Sequence, residues 1–233
     1  MTAADRRAAS FACVCALLLT AQPASGSIVV ILASPAGILV GADSRRTTDG
    51  VAFHDACKIR AGARGVFAAT GSYPDALLER LWTAGEELAN GSETPVANLD
   101  ALIAIISAEA VAPDAVHQGA LAFVSWSHGG PFIASARFTT QNGRYHFERS
   151  IKDWRNRGRE FVAGQVILSN VAPEFGEPDL LDFSRNPRSF EVIERVITLQ
   201  AERDATVGGP TDLLRIDASG VRWHRQKPEC RKK

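Results

Sequence analysis

The sequence has no excess of charge of either sign, because 26 Lys and Arg residues balance 26 Asp and Glu residues. The basic field that attracts the phosphate backbone of nucleic acids is therefore absent, and we expect no nucleic-acid partner. No apolar run is long enough to span a bilayer, so a transmembrane helix is not expected either. The hydrophobic fraction of 45% is ordinary for a globular domain and excludes a disordered or fibrous chain.

Several catalytic motifs are also missing. The five histidines are scattered, with no HExxH pattern and no Cys/His pairing at zinc-ligand spacing. A Gly-x-Ser-x-Gly elbow is absent, and Gly208-Gly209-Pro210 lacks the Lys-Ser/Thr that completes a phosphate-binding loop. We therefore predict no metal ion and no cofactor.

The first 26 residues are typical of an export signal. Arg6 and Arg7 precede an apolar run over 8–21, which ends in Gln22-Pro23 and the small residues 24–26. Cleavage after Gly26 would leave residues 27–233 as one domain, in the periplasm or secreted. No lipobox is present, so no membrane anchor is expected after processing. The alternative is an amphipathic first helix on a cytosolic protein, which fits the small-residue stretch less well.

Cysteine is scarce in the predicted mature chain. Of the four cysteines, Cys13 and Cys15 lie in the signal segment, which leaves Cys57 and Cys230. An exported protein would meet oxidising conditions in which this pair could form a disulfide. Two independent thiols are the alternative, because the sequence does not show whether the two side chains meet.

Short β-branched runs and amphipathic stretches alternate in groups along the chain. Strands are predicted at 27–32, 37–42, 65–70, 120–126, 131–139, 144–149, 213–216 and 221–223; the region near 162–168 is a strand or a helix. Helices are predicted after Pro74, over Leu99–Ile106 and after Asn186-Pro187. Such grouping favours two packed antiparallel sheets with helices outside them.

A set of motifs resembles the proteasome β-type subunits, a family of N-terminal nucleophile hydrolases. The motifs are Gly41-Ala42-Asp43-Ser44-Arg45 with Thr47 and Thr48, Lys58-Ile59, Thr70-Gly71-Ser72, Arg203-Asp204-Ala205 and Gly208-Gly209. Asp43 follows Ser27 by sixteen residues, the separation that this family shows between its catalytic first residue and the corresponding Asp. The resemblance implies an α+β fold, the four-layer αββα sandwich of that family.

The resemblance assigns catalysis to Ser27, Asp43 and Lys58. A hydroxyl needs a base, and the α-amine freed at a chain start, with a pKa of about 7.7–8.0, can act as one. Ser27 would then supply both nucleophile and base. The ammonium of Lys58 would favour their deprotonated forms, and Asp43 would hold that ammonium in place. Taken alone, Lys58 is more typical of a surface lysine, and Asp43 is more typical of a turn acid paired with Arg45. Their shared spacing with Ser27 favours the catalytic interpretation instead.

Two further residues complete the predicted site. Gly71 would present its N–H to the developing oxyanion, and Asp204 corresponds to the family's supporting acid. The chain departs from the family at Val207, where a Ser usually precedes the paired glycines. The family's other supporting Ser has no convincing counterpart, although Ser169 is the nearest candidate.

The resemblance implies a hydrolase that cleaves peptide or amide bonds through an acyl-enzyme on Ser27. It also implies ring assembly, so the expected partners are a peptide or amide substrate and further copies of this chain. The alternative is an inactive relative that serves in binding or assembly. The absence of the family's hydroxyl at Val207 and of its other supporting Ser favours this alternative.

Overall fold

The computed structural model describes residues 27–48, 51–127, 130–155, 163–169, 185–187 and 189–231. The predicted signal segment lies outside these ranges. The strands are β1 (Ile28–Ser34), β2 (Gly37–Ala42), β3 (Arg46–Thr48), β4 (Val51–Phe53), β5 (Ile59–Ala61), β6 (Val66–Ser72), β7 (Gln118–Ser127), β8 (Gly130–Gln141), β9 (Arg144–Asp153), β10 (Gly164–Ser169), β11 (Asp212–Asp217) and β12 (Gly220–Arg225). The helices are α1 (Asp75–Asn90), α2 (Pro95–Ser107) and α3 (Glu191–Arg203), and a 3₁₀ turn spans Pro228–Cys230.

Two five-stranded antiparallel sheets form the body of the described chain. The first has the strand order β10-β1-β2-β11-β12, and the second has the order β5-β6-β7-β8-β9. A small separate hairpin, β3–β4, connects the end of β2 to the segment before β5. The hairpins predicted over residues 27–42 and 120–139 are confirmed by the pairing of β1 with β2 and of β7 with β8.

Strand β1 is buried on both faces, as its uninterrupted apolar sequence requires. Alternate residues, among them Val29 and Ile31, enter the core between the two sheets. The intervening Ile28, Val30 and Leu32 pack on the other side with the apolar face of α3. Strand β1 therefore lies in the middle of the fold, and the residue just before it is held by packing on both sides.

The two helices α1 and α2 cover the outer face of the second sheet. Thr94 caps α2, because its hydroxyl accepts a hydrogen bond from the N–H of Ala97 at 3.2 Å, and Pro95 occupies the first turn. Helix α1 approaches β6 closely at Gly85, where an added Cβ would lie 2.1 Å from the ring of Phe67. The second sheet is thus covered by tightly packed helices.

The expected four-layer αββα sandwich is wrong. The described chain is mostly β, with two antiparallel five-stranded sheets and three helices. On the first sheet, the single helix α3 packs mainly on β1 and β2, so a complete helical layer is absent there in the described ranges. Helical periodicity identifies an amphipathic segment, but it does not determine whether helices form a full layer.

Two local predictions are resolved differently from the sequence pattern. The ambiguous region near 162–168 contributes a strand, β10, which pairs with β1 at the sheet edge. The helix expected to open at Asn186-Pro187 begins instead at Glu191, after Phe190. An Asn-Pro pair does not fix the first residue of a helix, because the same residues can also form an isolated turn before it.

The cysteines form a disulfide, so the alternative of two independent thiols is wrong. Cys57 and Cys230 are joined with their Cα atoms 5.6 Å apart. The bond ties the 3₁₀ turn at the end of the described chain to the segment just before β5. It closes a loop of 173 residues, which restricts the unfolded chain far more than the folded one.

We predict that reducing this disulfide destabilises the fold. A loop of this size removes enough unfolded-state entropy to stabilise the protein by about 5 kcal/mol. The free energy of unfolding, measured by circular dichroism in urea, should fall by up to that amount in the Cys57→Ser/Cys230→Ser variant. A reductant should destabilise the wild type and leave the double variant unchanged; equal stability of the two oxidised proteins would contradict the prediction.

Candidate active site

The pairing of β1 with β2 brings the segment after β2 beside Ser27. The N–H of Asp43 donates to the carbonyl of Ile28 at 3.3 Å, and the N–H of Ile28 donates back to the Asp43 Oδ1 at 2.9 Å. Ser27 immediately precedes this exchange and is itself buried, with 6% of its surface exposed. The sixteen-residue spacing seen in the sequence is therefore the length of a hairpin that returns to its start.

The carboxylate of Asp43 is fully buried and accepts four hydrogen bonds. Besides Ile28, its Oδ1 accepts from the ammonium of Lys58 at 2.5 Å. Its Oδ2 accepts from the N–H groups of Arg45 at 3.2 Å and Gly208 at 3.1 Å. A buried anion is stable only with such partners, and a cation combined with backbone donors supplies them.

Lys58 reaches this carboxylate from the second sheet. Its carbonyl accepts a hydrogen bond from the N–H of Ala69 on β6 at 3.1 Å, which fixes its main chain. Its side chain is 5% exposed, and burial lowers the pKa of the ammonium below its ordinary value. The charge of Asp43 and its hydrogen bond oppose that shift, whereas the charge of Lys227 adds to it.

Gly71 lies two residues beyond Ala69 on the same strand, near its end. Its φ of +129° is a conformation that L side chains rarely adopt, and an added Cβ would lie 2.4 Å from the Gln118 carbonyl oxygen. The tight pairing of Gly71 with Gly119 therefore requires glycine for reasons of backbone geometry. A role for its N–H toward an oxyanion stays a prediction.

Asp204 follows α3 and is connected to the site through the backbone. Its carbonyl accepts from the N–H of Val207 at 3.0 Å, and its Oδ1 accepts from both the N–H and the hydroxyl of Thr206. Its Oδ2 is buried without a hydrogen-bond partner in the described ranges. The next residue after Val207 is Gly208, whose N–H reaches Asp43.

The departure at Val207 has a structural explanation. The side chain is completely buried in the apolar cluster between α3 and the first sheet. A valine there gains packing where a serine would bring a hydroxyl into an apolar environment. Gly208 keeps the backbone contacts of this loop, since its carbonyl accepts from Ser44 at 3.1 Å and from Arg45 at 3.0 Å.

Ser169 lies closer to the site than its sequence surroundings indicated. It ends β10 and is paired with Ile28, one residue from Ser27, and it is buried. No loop motif identifies this position, because an antiparallel partner strand places it there. Its location at the end of the apolar run Gly164–Ser169 is the one signal that the sequence offers.

The structure therefore brings Asp43 and Lys58 into direct contact and fixes Ser27 beside them through Ile28. Gly71 and Asp204 are linked to this group only indirectly, through the hydrogen bond of Ala69 with Lys58 on β6 and through the loop from Asp204 to Gly208, respectively. Sequence reasoning missed Asp212 and Lys227, which are buried nearby. An acid at the first position of a strand and a lysine in a basic tail each have the pattern of an ordinary surface residue.

A metal-binding cluster and a membrane-spanning helix are both absent from the described ranges. No group of three or more His, Cys, Asp or Glu residues there is arranged to hold a metal ion. None of the helices assigned in those ranges has the length and apolar character needed to cross a membrane.

Comparisons of the sequence with models of known protein families and with curated proteins found no match.

We predict that Asp43→Asn destabilises the protein strongly. The change leaves the Lys58 ammonium buried without a counter-charge, a loss of about 3–5 kcal/mol. The free energy of unfolding from urea titration is the measurement. The matched control is Asp55→Asn, which removes an exposed carboxylate 2.8 Å from Arg46 and should cost only about 0–1 kcal/mol. Similar losses in both variants would show that Asp43 is not a buried counter-ion.

Proposed function

We propose that the mature chain is an N-terminal nucleophile hydrolase that cleaves peptide or amide bonds through an acyl-enzyme on Ser27. One observation carries the proposal: a buried carboxylate–lysine pair, Asp43 with Lys58, is hydrogen-bonded to the residue that follows Ser27. The proposal relies on this arrangement and on the motifs shared with proteasome β-type subunits. It does not rely on the four-layer sandwich.

The proposed reaction begins when the hydroxyl of Ser27 attacks the carbonyl carbon of the substrate. The freed α-amine takes the hydroxyl proton and delivers it to the leaving amine as the carbon–nitrogen bond breaks. Water then attacks the resulting ester, its proton returns to Ser27, and the acid product leaves. Both reacting groups belong to one residue, so an uncleaved precursor should be inactive.

Lys58 would assist as a cation. Its ammonium favours the deprotonated α-amine and hydroxyl, and Asp43 keeps it oriented through the 2.5 Å hydrogen bond. Burial lowers the pKa of Lys58, and the Asp43 charge and hydrogen bond oppose this shift only in part. The proposal requires Lys58 to be charged during the reaction, and its hydrogen bond to Asp43 would stabilise that charged form.

Gly71 and Asp204 take supporting roles in this proposal. The N–H of Gly71 would donate to the oxyanion that forms when Ser27 attacks. The unpartnered Oδ2 of Asp204 would accept a hydrogen bond from the Ser27 α-amine or hydroxyl. Neither role requires a metal ion or cofactor.

We also propose that the protein acts after export, in the periplasm or outside the cell. The Cys57–Cys230 disulfide supports an oxidising compartment, and residues 1–26 have the pattern of a cleavable signal peptide. Assembly with further copies of the chain is part of the same proposal, on the strength of the family resemblance alone.

The second candidate is a binding or assembly protein without turnover. The observation that favours it is Val207, whose buried side chain supplies no hydroxyl to the site. The use of Asp204 Oδ1 by Thr206 points in the same direction, because it withdraws one acceptor from Ser27.

Replacing the proposed nucleophile tests the two candidates directly. We predict that Ser27→Ala abolishes covalent labelling by an electrophilic peptide probe with no change in circular dichroism. Ser27→Thr should retain labelling, because it keeps both the hydroxyl and the amine. Intact mass before and after labelling is the measurement, and it also reports whether the mature chain starts at Ser27. The control Ser219→Ala removes an exposed serine and should label as the wild type does; equal labelling of Ser27→Ala would place the nucleophile elsewhere.

The pH dependence tests the base. We predict that kcat/KM rises with pH along an ionisation at or below about 7.7–8.0, the range of a free α-amine, because the Lys58 charge depresses it. Acetylation of that amine under mild conditions, verified by mass, should abolish turnover. A histidine-dependent hydrolase would keep its activity after this modification, and such a result would refute the mechanism.

A further inference from the structure

A second buried carboxylate–lysine pair lies beside the first. Lys227 and Asp212 are both buried, at 4% and 0% exposure. The Lys227 ammonium lies 3.1 Å from the Asp212 Oδ2, and the Lys227 N–H donates to the Asp212 Oδ1 at 2.8 Å. The same ammonium donates to the carbonyl of Ala56 at 2.5 Å.

The two pairs are neighbours through the backbone. Asp212 is paired across β11 and β2 with Ala42, the residue before Asp43. On the lysine side, Lys227 contacts Ala56, and Ala56 is two residues before Lys58. Between them, Cys57 carries the disulfide to Cys230, three residues beyond Lys227. The C-terminal segment around Lys227–Cys230 is thus attached to the segment before Lys58 by one disulfide and one buried hydrogen bond.

We propose that Lys227 is a positioning residue of the Ser27 site, whose buried charge, paired with Asp212 and held near Lys58 by the disulfide and by Ala56, adjusts the electrostatic environment of Lys58. This inference rests on the proposed function for its catalytic meaning. The effect of Lys227 on the pKa of Lys58 can be measured without any enzymatic turnover.

Stability does not account for the second pair. Burying two charges has a desolvation penalty that their attraction often fails to recover, and apolar residues of similar size commonly serve a core as well or better. The disulfide already holds the tail in place. What Lys227 adds is a buried ammonium, with Asp212 as its counter-ion, in contact with the carbonyl of Ala56 two residues before Lys58.

Two charged side chains in the described ranges act on Lys58. Asp43 and Lys227 act on Lys58 with opposite signs, and burial reinforces the effect of Lys227. Arg60, itself buried, interacts with Asp212 and with Glu86, whose carboxylate is 3.9 Å away. Removing the positive charge of Lys227 should therefore allow Lys58 to keep its proton to higher pH.

The test measures the pKa of Lys58 by NMR in a Ser27→Ala background. The chain has only five lysines, so selective ¹³Cε-lysine labelling gives few signals, and a Lys58→Met variant assigns the one of interest. Adding Lys227→Met should raise the pKa of Lys58 by roughly 0.5–1 unit, the scale expected for loss of a like charge nearby. Lys227→Arg keeps the charge and should restore the original pKa.

Two further variants keep the test decisive. Lys227→Met leaves Asp212 without its counter-charge and can impair folding. Asp212→Asn/Lys227→Met removes both charges; loss of the Asp212 charge acts in the opposite direction, so the pKa of Lys58 should rise by less than in Lys227→Met. Lys152→Met, which removes an exposed lysine from β9, is the matched control and should change nothing. An unchanged Lys58 pKa in the folded double variant would overturn the inference.

If the proposed function holds, the alkaline limb of the kcat/KM profile should move to higher pH in Lys227→Met while KM stays constant, because Lys227 is buried and paired with Asp212. If wild-type Ser27 is not labelled by the probe, the proposed function fails, whatever the NMR result. If Ser27 is labelled but the Lys58 pKa is the same in every folded variant, the role of Lys227 alone is wrong.

Discussion

The carboxylate of Asp43 gathers donors from four distant parts of the sequence. Ile28 belongs to the first strand, Arg45 follows the second, Lys58 comes from the other sheet, and Gly208 follows the last helix. An unpaired carboxylate at zero exposure would be very unfavourable, so these four segments must meet for the fold to be stable. The group that organises the proposed chemistry is therefore also a condition of folding.

This dual role distinguishes Asp43 and Lys58 from the neighbouring position Val207. Val207 replaces a hydroxyl with a packed side chain and leaves the Gly208 contact intact, so the loop keeps its place. Loss of Asp43 or Lys58 would leave a buried charge unpaired and destabilise the fold, whereas a hydroxyl at position 207 is not needed for folding. A change at Val207 therefore need not disturb the backbone contacts that hold Asp43 and Ile28 together.

The sequence was informative where one local pattern determines the outcome. The apolar runs at 28–34 and 37–42 predict a hairpin, and the hairpin length accounts for the position of Asp43 near Ser27. Other features depend on contacts between segments far apart in the chain. These are the number of helical layers, the pairing of Cys57 with Cys230 and the location of Ser169. Lys227 had no local signal, because its burial is created by Asp212 and Ala56. Such burial is a property of the assembled fold.

The disulfide also imposes an order of events on the maturing protein. Cys57 can meet its partner only after a further 173 residues have been made, and only where thiols can be oxidised. Until then, the segment that carries Lys58 lacks its clamp and the buried ammonium of Lys227. The surroundings of Lys58 are therefore complete only once the end of the chain has been made and the two thiols have been oxidised.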